Sequence, residues 1–443
     1  AISKTFDETK EHKKASLFDV NELSRRFKEN LFSSSSRQMS IEGLAYTSLE
    51  SKVKEELAFD KKFLHTLLKA LDDALIQSQV MFGVLSILVN LTSYMPVLSE
   101  EQKNINKLKS YANASKSKEP DLLNSDEHVM KRCRAVFEAG VIPTLVTRVQ
   151  NGSISCLSLA VSIISSIART SNLRGQMAQQ GAIKMLLHSF SKFPDENLTS
   201  RRTTAQALAR ILISTNPLHV FGGAGSLSII SAIHPLVLIL SENTTSEYQD
   251  LLPVFESLLA LTNLASTDDN TRNSIIKLVF PQIDELLFYK NTLVIRATVE
   301  LICNLVVSEE GVKKFVQDGL QARNRLNILL AMTNSEDLAT QRAAGGACAS
   351  LTRWDISIEC ILKLERGVQL LLRLCVEDQD ELRYRGVVCI LNMISEPGKI
   401  GKKSILKIKN EKGIDVLKEC LKKSRNQEVL DVAVEALKTL SLD

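Results

Sequence analysis

Four asparagines have the residue type and spacing that could bind an extended polypeptide. Asn90, Asn263, Asn304 and Asn392 each lie within an apolar stretch of helical spacing. An amide on an apolar helix face costs free energy unless its N–H donors and its carbonyl acceptor are hydrogen-bonded. The amides either bond the backbone of a neighbouring structural repeat and fix its stacking, or they line a groove and bind the backbone of a ligand.

The asparagine position recurs along the chain with other residue types. In nine stretches a central residue is flanked by apolar or small residues, and consecutive central residues are 47, 76, 44, 53, 41, 46, 42 and 47 residues apart. A period of about 40 to 47 residues is typical of stacked armadillo or HEAT repeats. We call these positions the ladder: Gly43, Asn90, Ser166, Arg210, Asn263, Asn304, Ser350, Asn392 and Thr439.

Arginines close to the ladder could add carboxylate recognition to the same face. Arg210 occupies a ladder position, and Arg296, Arg342 and Arg385 precede later positions by one or two helical turns. A guanidinium can bind a carboxylate through two parallel hydrogen bonds. Arginines that are solvated, or paired with acids of the same chain, are the commoner alternative. The candidate partner-binding groove comprises Asn90, Arg210, Asn263, Arg296, Asn304, Arg342, Ser350, Arg385 and Asn392.

The sequence contains no arrangement that predicts catalysis, a metal site or a cofactor. The six histidines make no ligand pair at helical spacing. The stretch 222–225, Gly-Gly-Ala-Gly, lacks the lysine that ends a phosphate-binding loop, and no strand is predicted before it. We therefore predict a protein that is not an enzyme and needs no cofactor or metal.

Glycines divide the period into helices. Gly140 is followed at once by an apolar segment with Pro143 near its first turn, which is how one helix ends and the next begins. Similar breaks at Gly181, Gly319, Gly367 and Gly413 leave 25 to 31 residues before the next ladder position. This spacing predicts a short helix before the glycine and two longer helices after it. The expected fold is all-α, a right-handed α-solenoid of armadillo-like three-helix repeats whose third helices line a concave groove.

Composition limits the classes of partner. Hydrophobic residues make up 44% of the 443 residues, charged residues 24%, and the net charge is +4, which predicts no nucleic-acid partner. The eight cysteines form no CxxC pair and are expected to be reduced and buried. No apolar run reaches the roughly 18 to 20 residues of a membrane span. We expect a cytoplasmic protein with no membrane partner, and a homo-oligomer is a possible assembly.

One step of the ladder is longer than the others. Between Asn90 and Ser166, residues 99–126 are polar and show little periodicity. Loops of this length are uncommon inside compact folds. We therefore divide the chain into N-terminal armadillo-like repeats over residues 1–98, a flexible insertion loop over 99–126, and further repeats of the same solenoid over 127–443.

An ordered set of stretches resembles the UCS-domain myosin chaperones. The set keeps the order found in that family and covers the chain from about residue 17 to near residue 400. Each string alone is weak evidence, because similar strings occur in all armadillo repeats. The stretches are 41–46 (IEGLAY) with 53–56 (VKEE), 204–210 (TAQALAR) with 215–217 (TNP), 255–266 (FESLLALTNLAS), 303–306 (CNLV) with 308–309 (SE), and 385–388 (RGVV) with 390–394 (ILNMI).

The resemblance implies a chaperone that binds the myosin motor domain in its groove, promotes its folding and stability, and supports actomyosin function. Carried over by position, Asn263, Asn304, Asn392 and Arg385 would be groove residues, and the 99–126 insertion would be a loop beside the groove. Animal relatives dock Hsp90 through an N-terminal tetratricopeptide domain, to which nothing in this sequence corresponds. Any Hsp90 partnership would therefore be indirect or use a domain outside this chain, which we expect to be a fungal member or a fragment.

A peptide-binding adaptor without chaperone activity is the main alternative. Adaptors like the nuclear import receptors pair a groove tryptophan with the ladder asparagine in several successive repeats. This chain has only Trp354. The sequence therefore favours the chaperone.

The insertion generates a first prediction about stability. Deleting residues 99–126 should change the melting temperature little, because the entropy of loop closure varies slowly with loop length. Thermal unfolding followed by circular dichroism checks this, and a large drop in melting temperature would show that the insertion is packed against the repeats.

Overall fold

The computed structural model describes residues 20–31, 36–76, 78–96, 121–222, 227–241, 250–317 and 319–442. Every regular element in these ranges is helical, with twenty-five α-helices and two short 3-10 helices, Leu122–Asn124 and Ser171–Leu173. The α-helices are α1 Val20–Leu31, α2 Arg37–Thr47, α3 Ser51–Phe59, α4 Lys61–Asp73, α5 Gln79–Thr92, α6 Asp126–Glu138, α7 Val141–Arg148, α8 Ile154–Ile167, α9 Arg174–Gln179, α10 Ala182–Lys192, α11 Leu198–Ile213, α12 Pro217–Phe221, α13 Ile230–Ser241, α14 Leu252–Ala265, α15 Asp269–Leu286, α16 Thr292–Leu305, α17 Glu309–Val316, α18 Gly319–Met332, α19 Leu338–Leu351, α20 Asp355–Lys363, α21 Gly367–Leu374, α22 Asp380–Ser395, α23 Lys399–Asn410, α24 Gly413–Lys423 and α25 Gln427–Leu442.

The last helix of each repeat carries a ladder position, and we call these helices the third helices: α2, α5, α8, α11, α14, α16, α19, α22 and α25. By their contacts, the described residues up to Thr215 form one compact unit and those from Asn216 form a second. Within the N-terminal unit α2, α5, α8 and α11 pack in succession, and within the C-terminal unit α14, α16, α19, α22 and α25 do the same. Successive third helices therefore form one continuous stack within each unit.

The glycine breaks form as predicted at several repeat starts. Gly140 and Gly181 have φ of 93° and 90°, a left-handed conformation that disfavours residues with a Cβ atom. Near residue 413 the left-handed residue is instead Lys412, with φ of 61°. Gly367 has no positive φ, and a Cβ atom there would lie 2.6 Å from the carbonyl oxygen of Ile361. Close packing, not backbone conformation, requires glycine at that position.

The expectation of two longer helices after each glycine is wrong in part. It holds for α17, α18 and α19, which have 8, 14 and 14 residues. However, α7 has only 8 residues, against 13 in α6 before the glycine. The chain leaves α7 early because Ser153 caps α8, its hydroxyl accepting a hydrogen bond from the Cys156 N–H at 3.3 Å.

The repeat that ends with α16 has no glycine break, and its first two helices form the single helix α15. This helix has 18 residues and contains Pro281. A proline inside a helix removes one backbone hydrogen bond, so α15 continues through a position that commonly bends or ends helices. Buried Phe280, directly before the proline, packs edge-on against Phe315 with ring centroids 6.1 Å apart. Tertiary packing therefore holds α15 across the proline.

Aliphatic residues form the core of each unit. Leucine, isoleucine, valine and alanine dominate the buried residues. Six of the eight cysteines are buried, two are half-buried and all are free thiols. Burial raises the pKa of Cys133 and Cys389 to about 12, and that of Cys420 to about 11, so these thiols stay protonated. A single-helix membrane span is not found among the described helices, although the bent pair α8 with residues 171–179 has the length and composition of one.

A buried arginine joins three segments of the N-terminal unit. The side chain of Arg132 on α6 is fully buried. Its Nε donates to the Leu91 carbonyl at 3.0 Å, and its Nη1 donates to Glu55 Oε2 and the Leu123 carbonyl, both at 2.7 Å. Glu55 also contacts His128 Nδ1 at 2.6 Å. A buried guanidinium is tolerated only when it is paired and hydrogen-bonded, and here α3, α5 and the segment before α6 supply the partners.

The bond from Arg132 changes the C-terminal limit of the proposed insertion loop. Residues 97–120 lie outside the described residues. Leu122–Asn124 is a short helix, Asp126 begins α6, and the Leu123 carbonyl accepts a hydrogen bond from buried Arg132. Residues 121–126 are therefore part of the folded unit. The deletion that should leave stability unchanged ends at residue 120.

Replacing Arg132 tests the importance of this junction. Arg132→Met should lower the free energy of unfolding by about 3 to 5 kcal/mol, because it leaves a half-buried carboxylate and two carbonyls without their donor. Lys131→Met is the matched control, since Lys131 directly precedes Arg132 and pairs at 2.7 Å with an exposed Glu127. Urea unfolding of both variants measures the difference, and equal losses would contradict a structural role for Arg132.

Candidate functional site

All nine ladder positions lie in the C-terminal half of a third helix, and most lie within its last turn. Asn90, Asn263, Asn304 and Asn392 are half-buried, as are Ser166 and Ser350. Arg210 is buried, with 7% of its surface exposed, and both Arg210 and Asn263 have interaction partners. The periodic pattern thus marks one equivalent place in every repeat.

The Asn90 amide bonds the repeat that precedes it. Its Nδ2 donates to the carbonyl of Ala45 and to the hydroxyl of Ser48, both at 3.0 Å. Ala45 belongs to α2, the preceding third helix, and Ser48 is the residue that caps it. The donor half of this amide therefore joins two successive third helices.

The same geometry recurs in the C-terminal unit. Asn304 Nδ2 on α16 donates to the Thr262 carbonyl of α14 at 2.9 Å. Asn392 Nδ2 on α22 donates to the Ala349 carbonyl of α19 at 3.3 Å and to the Thr352 hydroxyl at 3.2 Å. The three asparagines bond residues 45, 42 and 43 positions earlier in the chain. The bond is thus a repeated feature of the stack.

The way the preceding third helix ends explains why it needs this donor. In α2 the Ser48 N–H donates to the Leu44 carbonyl, while the Leu49 N–H donates to Tyr46, only three residues back. This tightened last turn passes over the Ala45 carbonyl. The carbonyl of Ala349 is passed over in the same way, because the Thr352 and Arg353 N–H groups donate to Cys348 and Ser350. Helix termini leave such acceptors without backbone partners. The Ser48 and Thr352 hydroxyls of the same turns donate to the Ala45 and Ala349 carbonyls at 3.1 and 3.2 Å, and the asparagine amide supplies a further donor from the next repeat.

Ser166 occupies a ladder position that has no asparagine. The third helix before it, α5, ends differently from α2 and α19. At the end of α5 the Ser93 N–H donates to the Val89 carbonyl at 2.8 Å, the regular four-residue spacing, and the chain then becomes extended. This last turn passes over no carbonyl at Val89. The repeat that carries Ser166 therefore has no such acceptor to satisfy at that place.

Each bonded asparagine keeps an acceptor free. Within the described residues, Oδ1 of Asn90, Asn304 and Asn392 accepts no hydrogen bond, while Nδ2 is used in every case. The two interpretations of the amides therefore apply to different atoms. The nitrogen bonds the preceding repeat, and a role of the oxygen in binding a partner stays a prediction.

Arg296, two helical turns before the ladder position of α16, is bonded to the next repeat. Arg296 Nε and Nη2 donate to the two carboxylate oxygens of Asp337 at 2.9 and 2.5 Å. Asp337 also caps α19 by accepting from the Thr340 N–H at 2.9 Å. The Arg296 guanidinium holds the pKa of Asp337 far below its usual range. Arg296 is thus committed to its own chain.

Arg342 and Arg385 share one carboxylate. Arg342 Nε lies 2.8 Å from Glu381 Oε2, and Arg385 Nη2 donates to Glu381 Oε1 at 2.7 Å. Arg385 Nη1 also donates to the Arg342 carbonyl. A Cβ atom on Gly346 would lie 2.9 Å from Arg385 Nη1 and 3.0 Å from Cys303 Sγ. Glycine at 346 therefore makes room for the guanidinium over α19.

Two further groups on this face are partly removed from water. Burial raises the pKa of Glu300 on α16, although Arg296 acts in the opposite direction, and burial likewise raises the pKa of Cys303. With the three arginines paired internally, the exposed part of the face presents amide oxygens and apolar groups and few uncompensated charges. Such a face suits a neutral polypeptide better than a highly charged one.

Sequence reasoning missed an exposed set of aliphatic residues at the other end of the third helices, which we call the aliphatic row. Each member is the first or second residue of its helix and is 38–60% exposed. The detectable signal is a large aliphatic residue just after a polar N-cap such as Ser153, Asn291 or Asp337. The row comprises Ile154 and Leu198 in the N-terminal unit and Leu252, Leu293 and Leu338 in the C-terminal unit.

The aliphatic row and the ladder share a helix face in the C-terminal unit. Leu252 precedes Asn263 by eleven residues, and Leu293 precedes Asn304 by the same number. Eleven residues are close to three helical turns, so each pair lies on the same side of its helix, about 16 Å apart. Leu252 is 48% exposed and Leu293 46% exposed. The third helices therefore present a line of apolar groups parallel to a line of amides.

The chain is similar to known proteins in sequence and in fold. A family model that matches the chain was not found. Ring assembly protein 3 of Schizosaccharomyces pombe is 32% identical over 361 residues, which cover 80% of this chain and 47% of that protein. UNC-45 from Drosophila melanogaster has a TM-score of 0.79 at 26% identity, covering 97% of this chain and 54% of that one.

A further solved structure shares the fold. The myosin chaperone UNC-45 from C. elegans, in complex with a Hsp90 peptide, has a TM-score of 0.76 at 21% identity, covering 95% of this chain and 43% of that one. These matches confirm the predicted all-helical, armadillo-like fold. The chain spans less than half the length of the curated relatives it matches first.

The stacking role of the amide nitrogen can be tested on its own. Asn392→Ala should lower the free energy of unfolding by about 0.5 to 1.5 kcal/mol, because the half-buried Ala349 carbonyl loses the amide of the next repeat and keeps only the Thr352 hydroxyl as a donor. Asn410→Ala is the matched control, since Asn410 is exposed at the end of α23. Urea unfolding followed by circular dichroism measures both, and a loss no greater than that of the control would argue against stacking.

Proposed function

Because the chain belongs to the UCS-domain family of myosin chaperones, we propose that it binds a myosin motor domain on the face of its third helices and promotes the folding and stability of that domain. The activity is non-enzymatic and supports actomyosin function. The observation that carries the proposal is the match over most of this chain, together with a third-helix face that presents amide oxygens beside exposed aliphatic side chains.

The two lines of groups on this face have complementary chemistry toward a polypeptide. The Oδ1 atoms of Asn90, Asn304 and Asn392 can accept hydrogen bonds from backbone N–H groups, which every sequence has. The aliphatic row offers apolar contact to side chains that a partly folded motor domain exposes, and burying apolar area stabilises the complex by about 25 cal/mol per Å². A chaperone needs both contributions, because its partner presents backbone and core residues that the native state hides.

The internal pairing of the arginines supports the same reading. Arg296, Arg342 and Arg385 are held by Asp337 and Glu381. Recognition of carboxylates by these arginines, which their spacing suggested, would first require breaking pairs that join successive repeats. We therefore assign Arg296, Arg342 and Arg385 the task of holding the face in shape, and the asparagine oxygens and the aliphatic row the task of contacting myosin.

The proposal also covers a link to Hsp90, which would be indirect. UNC-45 from C. elegans has been solved with a Hsp90 peptide. Since this chain covers 43% of that protein, we propose that any link to Hsp90 uses a domain outside the 443 residues or an intermediary protein. Binding of the motor domain itself should require only the repeats.

A double variant of the aliphatic row tests the proposal. Wild-type protein should suppress light scattering when a purified myosin motor domain is heated, and Leu252→Ser with Leu293→Ser should weaken that suppression severalfold, because two exposed apolar contacts are lost. The substitutions replace half-exposed side chains, so the melting temperature should change little. Pull-down of the unheated motor domain measures direct binding in parallel.

The matched control is Leu320→Ser. Leu320 is 73% exposed in the same unit, but it lies on α18 and not on a third helix. This variant should protect myosin as well as wild type does. Absence of both binding and suppression by the wild-type protein would overturn the proposal, and equal loss in control and double variant would remove the third-helix face from it.

The amide oxygens need a separate comparison, because the amide nitrogens also stabilise the stack. Asn304→Ala with Asn392→Ala should weaken myosin binding per folded molecule while unfolding stays cooperative. Binding is therefore normalised to the folded fraction measured in the same sample. Unchanged binding per folded molecule would assign these asparagines to stacking alone.

A further inference from the structure

A cavity in the N-terminal unit lies away from the third helices. It has a volume of about 550 Å³ and is enclosed by α3, α4 and α6, with Ala139 at the end of α6. This volume is within the range of about 300 to 1,000 Å³ that ligand pockets occupy. None of its lining residues belongs to a third helix, so the site proposed for myosin does not account for it.

The floor of the cavity is apolar. Ala58 and Leu64 are buried, Ala135 and Ala139 are half-buried, and the ring of Phe59 is 49% exposed beside them. An exposed aromatic ring in a concavity costs free energy in water and offers a large contact area to an apolar side chain. The floor therefore suits an apolar side chain of a partner.

The rim of the cavity is basic. Lys61 and His65 lie one turn apart on α4, and Lys131 and Arg134 lie one turn apart on α6. Lys131 pairs with Glu127 at 2.7 Å. Among the described residues, Lys61 and Arg134 form no ion pair, although Glu138 lies one turn beyond Arg134 on the same helix. Within the described residues, two cations thus line the cavity without an ion pair, and Glu138 is the one acid among the lining residues.

We propose that this cavity, which we call the α3–α4–α6 pocket, binds an acidic peptide segment that inserts an apolar side chain. The apolar floor receives that side chain, and the Lys61 ammonium and the Arg134 guanidinium pair with carboxylates on either side of it. Charge complementarity selects an acidic partner, because charged groups around a pocket suppress partners of like charge and guide those of opposite charge. A phosphate backbone or a flat anionic membrane would engage the rim cations and leave the concave apolar floor unused.

The proposal adds a second protein-binding site to the one on the third helices. It depends on residues of the first and middle helices of two successive repeats, all within the N-terminal unit. The chain could therefore hold a myosin motor domain and a second, acidic protein at once. Loss of binding at either site should leave binding at the other unchanged.

Fluorescence anisotropy of a labelled peptide tests the pocket. The probe is a fluorescein-tagged octapeptide, Asp-Glu-Asp-Leu-Phe-Asp-Glu-Asp, titrated with the full chain. Saturable binding is expected, and Lys61→Glu with Arg134→Glu should weaken it at least about tenfold, because two attractive rim charges become repulsive. Ala135→Leu, which fills the floor and keeps the rim charges, should weaken binding as well.

Two controls separate the pocket from general attraction to a basic protein. Lys184→Glu with Lys192→Glu reverses two exposed lysines on α10 of the same unit and should leave the affinity within about twofold of wild type, because neither lysine lines the pocket. A probe with Gly-Ser in place of Leu-Phe should bind at least about tenfold more weakly than the parent probe, because it cannot fill the floor.

Three results would overturn the proposal. They are no saturable binding, equal weakening by both pairs of charge reversals, and equal affinity for the two probes. Phosphatidylserine vesicles are titrated in parallel, and binding of vesicles but not of the probe would make the rim a membrane contact instead. The double variant of Leu252 and Leu293 should bind the probe like wild type, so failure of the myosin proposal remains distinguishable.

Discussion

The carbonyl left without a backbone donor at the end of a third helix is the constraint on which the bonded ladder asparagines depend. Helices end with acceptors that their own backbone cannot satisfy, and tightening of the last turn passes over one of them. In this protein the passed-over carbonyls of Ala45, Thr262 and Ala349 lie where water has limited access, and the next repeat supplies the missing N–H. Asparagine fits because it is short, uncharged and able to donate. The recurrence of asparagine at positions 90, 304 and 392 therefore follows from the chemistry of a helix terminus.

Ion pairs also join successive repeats, and they lie nearer the N-terminal end of the third helices. Arg296 bonds the carboxylate that caps α19, so one interaction both starts a helix and joins two repeats. Arg342 and Arg385 meet at Glu381 in the next interval of the stack. Asp337 and Glu381 thus compensate two of the three arginine charges. A face of low charge with amide oxygens and exposed aliphatic groups can accept varied polypeptide surfaces, which is what the proposed chaperone activity requires.

Much of the fold could be predicted because its causes are local and repeated. The ladder spacing identified all nine third helices, and glycine marked real breaks at Gly140 and Gly181. Gly367 could not be understood from the chain alone, because its role depends on a carbonyl that approaches it in space. Arg132 was also missed, since its three acceptors are contributed by segments distant in sequence.

Spacing predicted that the ladder positions are equivalent, and they do lie at one place in every third helix. It could not predict that the amide nitrogens and the guanidinium groups are bonded within the protein, because their partners lie in other repeats. The aliphatic row escaped notice because a leucine after an N-cap resembles any other core residue of a helix. Its exposure follows from how successive helices are offset, which is a property of the stack. The opposite charges that hold the arginines likewise come from other repeats, 41 residues away in the case of Arg296 and Asp337.

The direction of the asparagine bonds has a consequence for how the chain is made. In each pair the acceptor carbonyl precedes its amide donor, by 42 to 45 residues. At a synthesis rate of roughly 5 to 20 residues per second, a finished third helix waits about 2 to 9 s before the ribosome delivers the residue that completes it. During that interval the carbonyl at its end lacks the amide donor of the next repeat, although the Ser48 and Thr352 hydroxyls already donate to Ala45 and Ala349. Each finished repeat thus offers a prepared acceptor to the repeat that follows it in the chain.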